Sequence, residues 1–564
     1  MSKTIKINDF EKRQLNLAVK RRENGDYLGA LNLLNAVKET SALPVCYKEI
    51  AKIYMDLSLI RFALDYWFKY LNVAPKYDRA EAYNGIAACY FHIGDLNLAG
   101  FYYEKFMDEA EERDYDYLEE RIDYYTAITE KDEPSYEIIH PIEKASSEKL
   151  IKAADKAFYD GRAEQALDYL KAIPKNDENY MSARLRLVGF EVLNGNFETA
   201  NDYVNGLIDE FPDDSLPLIN KLVLLAEFAD TCDKKEVEDL IEEIKKLDVK
   251  EFQELYKATT SCIDLNEDES ALYFGEKALA AQPYSLAANF ALGAALYNLG
   301  DYEEAEKRIT VAYQLSTSGV AKYYIKACRN PEILKGARIG YDMLYPDDVA
   351  KRFTKKAYEY GVKVPKITAR NRETFKEVCD WVFSFPNDLQ EDLAISLLES
   401  KEPEHAKFVR EKLLESAVID DVKIRVLEEL TIMEEKGYVS FTYGGNYFKV
   451  KLSPLTDIPL ESKGIVVKYA HALAVSKTAI LFKSSQKKLT EAAYWVYEKL
   501  KKNGNLGKIK DENALAVAII AFALYGLKEG DSLKNASVFS TYFDTSEKRI
   551  NTIVKYIKAD DDNN

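Results

Sequence analysis

The sequence predicts an all-α protein, in which a solenoid of stacked helix pairs is followed by a C-terminal helical region with one small β-hairpin. Three observations lead to this fold class. Small residues recur about every 34 residues over the first two thirds of the chain, and glycines stand between paired amphipathic runs. The helical period gives way to strict alternation only once, near residue 438. A fixed period in this range is typical of repeat architectures whose units stack side by side.

The recurring small residues mark the start of the second helix in each predicted pair. Their spacing is 33 and 36 residues in the first three units and 34, 37, 34 and 34 in the later ones. Small side chains allow the two helices of a unit to cross closely, while larger ones fill the neighbouring gap. The positions are Ala30, Ala63, Ala99, Ala166, Ala200, Val237, Ala271 and Ala305.

Glycine and proline positions move with these small residues. A glycine lies five residues before the small residue in five units, between two amphipathic runs, where a tight turn needs a positive φ. A proline lies twelve residues after it in three units, where it would end the second helix. The turn residues are Gly25, Gly94, Gly161, Gly195 and Gly300, and the prolines are Pro75, Pro212 and Pro283.

The best single unit spans residues 286–319 and carries Leu292-Gly293, Gly300-Asp301-Tyr302, Ala305 and Ala312. This pattern resembles the tetratricopeptide repeat (TPR) family. The resemblance extends over roughly residues 11–346 and implies a right-handed TPR-type α-solenoid as a domain at 1–346. The units near 114–146, 215–248 and 320–346 are degenerate. Arrays of this kind usually bind peptides or proteins.

The resemblance also implies a groove, because the first helix of each TPR pair faces the concave side. Lys48, Lys52 and Asn84 come from adjacent units and would meet a carboxylate or an acidic peptide, unless they are ordinary solvated positions. Leu15 and Val19 stand where carboxylate-gripping TPR proteins need Lys and Asn, so that specificity is not predicted. The full set of candidate groove residues is Lys48, Lys52, Asn84, Phe91, His92, Asp155, Tyr159, Phe290, Tyr297 and Asn298.

A second predicted domain, residues 347–463, is helical and ends in a β-hairpin. Helices are predicted at 349–360, 371–385, 389–399, 404–416 and 421–436. Alternating residues over 438–452, with Gly444-Gly445 in the middle, then predict the hairpin. It would either cap an exposed apolar face, which we favour, or pair its edge with a strand of a partner.

A third predicted domain, residues 464–564, has helices at 465–482, 490–502 and 513–527. Ser540, Asp544 and Ile550 have the spacing of a degenerate helix-turn-helix, and the preceding helices resemble the cyclin-like fold of general transcription factor IIB. Residues 485–564 carry 13 basic and 11 acidic side chains, a small basic bias of +2. The recognition helix, at about 546–557, would expose Lys548, Arg549, Asn551 and Lys555.

Composition and motifs exclude several function classes. The net charge of −18 argues against a chain coated in nucleic acid and against a basic membrane surface. Four scattered histidines and six scattered cysteines give no metal-site spacing, so no metal or cofactor is expected. No nucleophile elbow or P-loop is found. The unpaired cysteines, the charged N-terminus and the lack of a membrane-length apolar run predict a cytoplasmic protein.

These observations favour a non-enzymatic protein-interaction scaffold or regulator, which binds a peptide or helix from a protein partner in the groove of its repeats. The alternative is a regulatory protein whose repeats sense a partner and whose C-terminal module binds DNA. A third class, an enzyme with a helical active site, would need a deep pocket with perturbed ionisable groups.

Overall fold

The computed structural model describes residues 9–41, 44–110, 146–229, 232–433, 437–459, 462–480, 486–525 and 536–558. The chain divides into two compact units, each built from two stretches of sequence. The first unit consists of Met1–Asn35 and Lys131–Pro346, and the second of Ala36–Glu130 and Asp347–Asn564. The predicted repeat domain at 1–346 is therefore shared between them, with residues 36–130 grouped with the C-terminal third.

The N-terminal stretch forms three helix pairs. Helix α2 crosses the boundary between the two units, and α3 to α6 belong to the second. The helices are α1 (Asp9–Glu23), α2 (Tyr27–Ser41), α3 (Pro44–Asp56), α4 (Ile60–Val73), α5 (Arg79–Ile93) and α6 (Leu96–Glu109).

The rest of the first unit continues with paired helices. The degenerate unit near 215–248 forms a pair, whereas the one near 320–346 forms a single helix followed by an irregular segment. Most of the unit near 114–146 lies outside the described residues. The helices are α7 (Ser147–Tyr159), α8 (Ala163–Lys171), α9 (Tyr180–Leu193), α10 (Phe197–Glu210), α11 (Ser215–Glu227), α12 (Lys234–Lys246), α13 (Phe252–Asp264), α14 (Asp268–Ala281), α15 (Leu286–Asn298), α16 (Tyr302–Ser316) and α17 (Gly319–Arg329).

The C-terminal part of the second unit is helical apart from one antiparallel hairpin, in which Tyr443 pairs with Asn446 across Gly444-Gly445. The all-α fold class with a single small hairpin is thus confirmed for the described ranges. The elements are α18 (Asp347–Val362), α19 (Arg372–Val382), α20 (Leu389–Glu399), α21 (Pro403–Lys412), α22 (Asp420–Ile432), β1 (Gly437–Tyr443), β2 (Asn446–Leu452), α23 (Ile465–Thr478), α24 (Gln486–Lys502), α25 (Glu512–Tyr525), α26 (Ala536–Tyr542) and α27 (Glu547–Lys558).

The glycines and prolines that the sequence assigns to turns have the backbone conformations and positions expected of them. All five turn glycines have positive φ, for example +89° at Gly94 and +86° at Gly300. Of the three units that lack a turn glycine, two use Ser58 and Asn266 instead, with φ of +58° and +62°. The helices before Pro75, Pro212 and Pro283 each end two residues earlier.

The recurring small residues lie in the core, as their spacing predicts. Each of the seven alanines in the series is fully inaccessible to solvent, and Val237 is almost so. Close crossing is visible at Gly293 on α15, where an added Cβ would lie 2.5 Å from Ile309 of α16. The periodic positions therefore determine how each helix pair packs.

The β-hairpin covers one face of the α5–α6 pair within the second unit. The hydroxyls of Tyr90 and Tyr102 both donate to the Gly445 carbonyl, at 2.8 and 3.0 Å. The Tyr447 N–H in turn donates to the Tyr102 hydroxyl oxygen at 2.9 Å. Pairing of the hairpin edge with a partner strand stays a prediction.

No helix in the described ranges is long and apolar enough to cross a bilayer.

Candidate functional site

The lysines that the sequence assigns to a groove do come together, but the chain itself supplies their carboxylate. Lys48 Nζ lies 3.0 Å from Glu81 Oε2, and Lys52 Nζ lies 2.6 Å from Glu81 Oε1. Burial alone would raise the pKa of Glu81, but the hydrogen bonds and charges of Lys52 and Lys48 hold it below its usual range. An acidic peptide would have to displace Glu81 from this cluster.

Sequence reasoning missed Glu81. Because Ala63 and Ala99 are 36 residues apart, the position equivalent to Lys48 in the next repeat is Asn84, and Glu81 stands one turn before it. Asn84, one turn further along α5, has a buried Oδ1 without a hydrogen-bond partner in the described structure. Phe91 and His92 lie on the exposed last turn of α5.

Two first helices of the first unit, α7 and α9, lie side by side along their length. Asn179 Nδ2 donates to Ser147 Oγ at 3.0 Å near their N-terminal ends. In the middle, Arg186 Nε lies 3.2 Å from Asp155 Oδ1, so the predicted groove residue Asp155 is already paired. Near the C-terminal ends, the rings of Phe158 and Phe190 stack at 4.0 Å with an interplanar angle of 6°.

Beyond this stack, the two helices present an apolar ledge, which we define as Tyr159, Gly189 and Leu193. Tyr159 is 86% exposed and Leu193 is 71% exposed. They lie 34 residues apart, at equivalent positions of successive repeats. The sequence predicted Tyr159 as a groove residue but missed Leu193, which the same period would have indicated. An added Cβ at Gly189 would meet nothing within 4 Å.

Phe290 is a wrong assignment, because it is a core residue. It is 0% exposed, and its ring packs edge-on against Tyr324 of the next first helix, α17, at 5.5 Å. Tyr297 is also buried, and its hydroxyl lies 3.5 Å from the Pro331 carbonyl. Neither side chain is free to meet a partner, because α17 and the segment after it cover them.

Asn298 does hold a peptide backbone, but one from its own chain. Its Oδ1 accepts from the Ile339 N–H at 2.8 Å, and its Nδ2 donates to the Ile339 carbonyl at 3.0 Å. A side-chain amide that bonds both backbone groups of one residue acts as a short piece of β-ladder.

The C-terminal candidate residues lie on the solvent face of α27. The opposite face, with Ile550 and Ile557, is buried, and Asp544 takes the left-handed turn conformation with φ of +48°. Arg549 Nη1 lies 3.2 Å from Asp511 Oδ2, which partly neutralises its charge. The exposed set is Lys548, Arg549, Asn551 and Lys555, as the sequence predicts. DNA binding by this face stays a prediction.

The described ranges hold no group of three or more His, Cys, Asp or Glu residues that could bind a metal ion. A cleft of about 520 Å³ lies among α10, α11 and α12. Its lining is mostly charged, and Lys221 and Glu236 neutralise each other there at 2.9 Å. Such pairing is typical of a solvated surface.

No protein-family model matches the sequence, and no curated protein matches it either. Among solved structures, the chain is similar to the TPR2AB domain of yeast Sti1 in its pHSP90 complex, with 12% identity and a TM-score of 0.20, over 58% of this chain and 96% of that one. It is similar to the P58(IPK) TPR domain at 16% identity and a TM-score of 0.22, over 58% and 99%. It is also similar to yeast Tom70, with 13% identity and a TM-score of 0.21, over 98% of this chain and 95% of that one. The paired helices, the positive-φ turn residues and the buried small residues of this chain agree with the fold that the TPR resemblance implies.

Proposed function

We propose that this protein is a non-enzymatic interaction scaffold, and that a peptide or helix of a protein partner binds the first-helix face of its first unit at the ledge. The observation that carries the proposal is the exposure of Tyr159 and Leu193 at equivalent repeat positions. Large apolar side chains that are this exposed, at equivalent positions of successive repeats, are typical of a protein-binding site.

The surroundings of the ledge support this use. Two ion pairs give the apolar centre a polar rim, as is usual at protein interfaces. They are Asp155–Arg186 and Asp160–Arg162, and the second has a nitrogen-to-oxygen distance of 2.8 Å. Burial of a Tyr or Leu side chain contributes roughly 1.5 to 3 kcal/mol each. Two such side chains suffice to decide whether a partner segment stays bound.

The test compares partner capture by the full chain with capture by a Tyr159→Ala/Leu193→Ser variant. Cross-linking and mass spectrometry of cell extract first identify the partner, and its purified form is then titrated. We expect the variant to bind at least about tenfold more weakly, since roughly 1.4 kcal/mol corresponds to a factor of ten.

The matched control is Val362→Ser, because Val362 is 86% exposed but lies on α18 of the second unit. It should bind the partner as tightly as the unchanged chain. Equal binding by the ledge variant and the control would contradict the placement of the site.

The alternative function is DNA binding through α27, and the exposed cationic face of that helix is the observation in its favour. If it operates, the full chain binds duplex DNA at low salt, with an affinity that falls as salt rises. Changing Lys548 and Arg549 together to Ala should then weaken binding and reduce the salt dependence. No binding of the unchanged chain at low salt would exclude this alternative.

We further propose a cytoplasmic location, which rests on the fact that none of the six cysteines forms a disulfide in the described residues.

A further inference from the structure

A segment without helix or strand closes the first unit, and we name residues 334–346 the strap. The chain turns after Pro331–Ile333, where Lys335 and Gly336 have φ of +53° and +82°. It then reaches Asn298 at the end of α15 and Ile263 near the end of α13. These are first helices of successive repeats, so the strap lies where the TPR resemblance predicts a peptide to bind.

The strap is held by side chains that recognise a peptide rather than by helix packing. Asn298 bonds both backbone groups of Ile339, as described above. The Arg338 guanidinium makes a two-point contact with the buried Asp268 carboxylate, at 2.5 and 2.9 Å. Arg338 Nη2 also lies 3.3 Å from the Ile263 carbonyl, at the negative end of α13.

Asp268 and Asn298 form one polar clamp. Asn298 Nδ2 donates to Asp268 Oδ1 at 3.0 Å, so the two side chains orient each other. Two-point Arg–carboxylate contacts give geometric specificity as well as energy. The clamp therefore selects an arginine followed at once by a residue whose N–H and carbonyl both face Asn298.

Apolar side chains of the strap fill the gaps on either side. Ile339 is 1% exposed and belongs to the core around α15 to α17, while Tyr341 packs against the core around α11 to α15. Tyr345 packs edge-on against Tyr323 at 5.6 Å, and the Tyr324 hydroxyl donates to the Leu344 carbonyl at 2.9 Å.

One position of the strap does not match its surroundings. Asp342 follows Tyr341, whose side chain packs against the core around α11 to α15, and its charge acts on Asp264 together with that of Glu227. Burial raises the pKa of Asp264 to about 6, and the charges of Asp342 and Glu227 act in the same direction. Like charges placed together on a binding surface oppose binding.

We propose that the strap is an internal occupant of a second peptide-binding site, and that a partner segment with an arginine, a β-branched residue next to it, and a basic residue in place of Asp342 displaces it. Such a segment keeps the contacts of Arg338 and Ile339 and replaces a repulsion with an attraction. This site is distinct from the ledge and does not depend on it.

Displacement is governed by competition with a tethered ligand. A short tether gives the strap an effective concentration on the order of millimolar, so an identical free peptide competes poorly. Loosening the strap raises the fraction of open sites, and the apparent affinity for a free peptide rises by the same factor. Substitutions in the strap and in the clamp should therefore act in opposite directions.

The experiment uses the full chain and a fluorescent peptide that copies residues 334–346 with Lys in place of Asp342. A second peptide keeps the Asp. We expect the Lys peptide to bind about tenfold tighter than the Asp peptide. Arg338→Ala in the chain should raise the affinity for both peptides about tenfold or more, and adding Asn298→Ala should abolish that gain.

Asp342→Lys in the chain gives an independent test with the opposite sign. It should tighten the strap and weaken peptide binding about tenfold. Because this variant adds an attraction, it keeps the proposal testable if Arg338→Ala fails to fold. Hydrogen exchange at the Ile339 amide should slow in Asp342→Lys and quicken when the Lys peptide is added.

The matched control is Arg329→Ala, which removes an arginine that pairs with Glu306 at 2.7 Å, away from the clamp. It should leave peptide affinity unchanged. Equal affinity of the two peptides, an unchanged affinity in Arg338→Ala, or a gain in affinity that persists in Arg338→Ala/Asn298→Ala would each overturn the proposal. The ledge variant Tyr159→Ala/Leu193→Ser should bind the Lys peptide normally, so failure of one site is distinguishable from failure of the other.

Discussion

Replacing Lys69 with Met should lower the free energy of unfolding of the second unit by about 3 kcal/mol. Lys69 Nζ lies 2.8 Å from Glu415 Oε1, and Lys412 Nζ lies 2.8 Å from the other carboxylate oxygen. The three side chains are largely shielded from water. Removing Lys69 leaves Glu415 with one cation and with Asp65 close by, so a buried negative charge loses much of its compensation.

Protonation equilibria give this prediction a pH signature. Burial would raise the pKa of Glu415, but Lys69 and Lys412 outweigh it and hold the pKa at about 2. The folded pKa is lower than the unfolded one, so the contribution is present above about pH 4.5 and is lost as the pH falls towards 2. The difference in stability between the two proteins should therefore shrink over that range.

Asp65 changes the pH dependence of stability in the opposite direction to Glu415. Burial and the charge of Glu415 raise its pKa to about 6, although its Oδ1 accepts from the Ser416 N–H at 2.9 Å. Protonation between about pH 6 and pH 4 therefore stabilises the folded state. Acidification from pH 7 to pH 5 should not destabilise this cluster.

The measurement is urea unfolding followed by tryptophan fluorescence. All three tryptophans, Trp67, Trp381 and Trp495, belong to the second unit, so the signal reports that unit alone. The control is Lys407→Met, which removes an exposed pair with Glu411 at 3.9 Å and should leave the unfolding midpoint unchanged. Equal midpoints for the two variants would contradict a structural role for the Lys69 pair.

Replacing Gly445 with Val should destabilise the second unit by about 3 kcal/mol, because it forces the hairpin tip away from α5 and α6. An added Cβ would overlap Leu98 and lie 2.8 Å from the Tyr90 hydroxyl oxygen. Gly445 also has φ of +74°, which a β-branched residue does not tolerate. The hydrogen bonds from Tyr90 and Tyr102 to its carbonyl would be lost together.

The adjacent glycine provides the control. Gly444 also has a positive φ, +52°, but an added Cβ there meets nothing within 4 Å. Asn is favoured at this position of a two-residue hairpin turn, so Gly444→Asn should be nearly neutral. Tryptophan fluorescence reports the unfolding midpoints, and hydrogen exchange at the Tyr447 amide reports docking. If Gly445→Val retained both, the contact with Tyr90 and Tyr102 would not hold the hairpin.

The helix and strand bounds that were predicted correctly depend on sequence patterns within a short stretch of the chain. The predicted helix at 389–399 and the hairpin strand at 446–452 agree with the structure to the residue. The predicted helix at 404–416 is shorter, ending at Lys412, and the Leu413 carbonyl accepts from the Thr442 N–H of β1 instead. The C-terminal end of this helix therefore depends on a hydrogen bond with a strand that comes later in the chain.

The candidate site residues also separate into features that the repeat period predicts and features that it does not. Periodicity placed Lys48, Lys52 and Asn298 on first helices, and the structure has them on α3 and α15. It could not indicate that Glu81 neutralises the lysines or that Asn298 binds Ile339, because both facts depend on which segment reaches the surface. The assignment of Phe290 to the groove was wrong for the same reason, because α17 covers its side chain.

The sequence by itself determined the paired helices, their turns and the single hairpin, because helical period, turn glycines and small crossing residues act over a few neighbouring positions. Only the tertiary structure decided which surfaces remain open. The hairpin docks on helices more than 340 residues earlier, and the strap lies across repeats up to 75 residues before it. Such contacts depend on complementary shape and charge between distant segments, which no local pattern records.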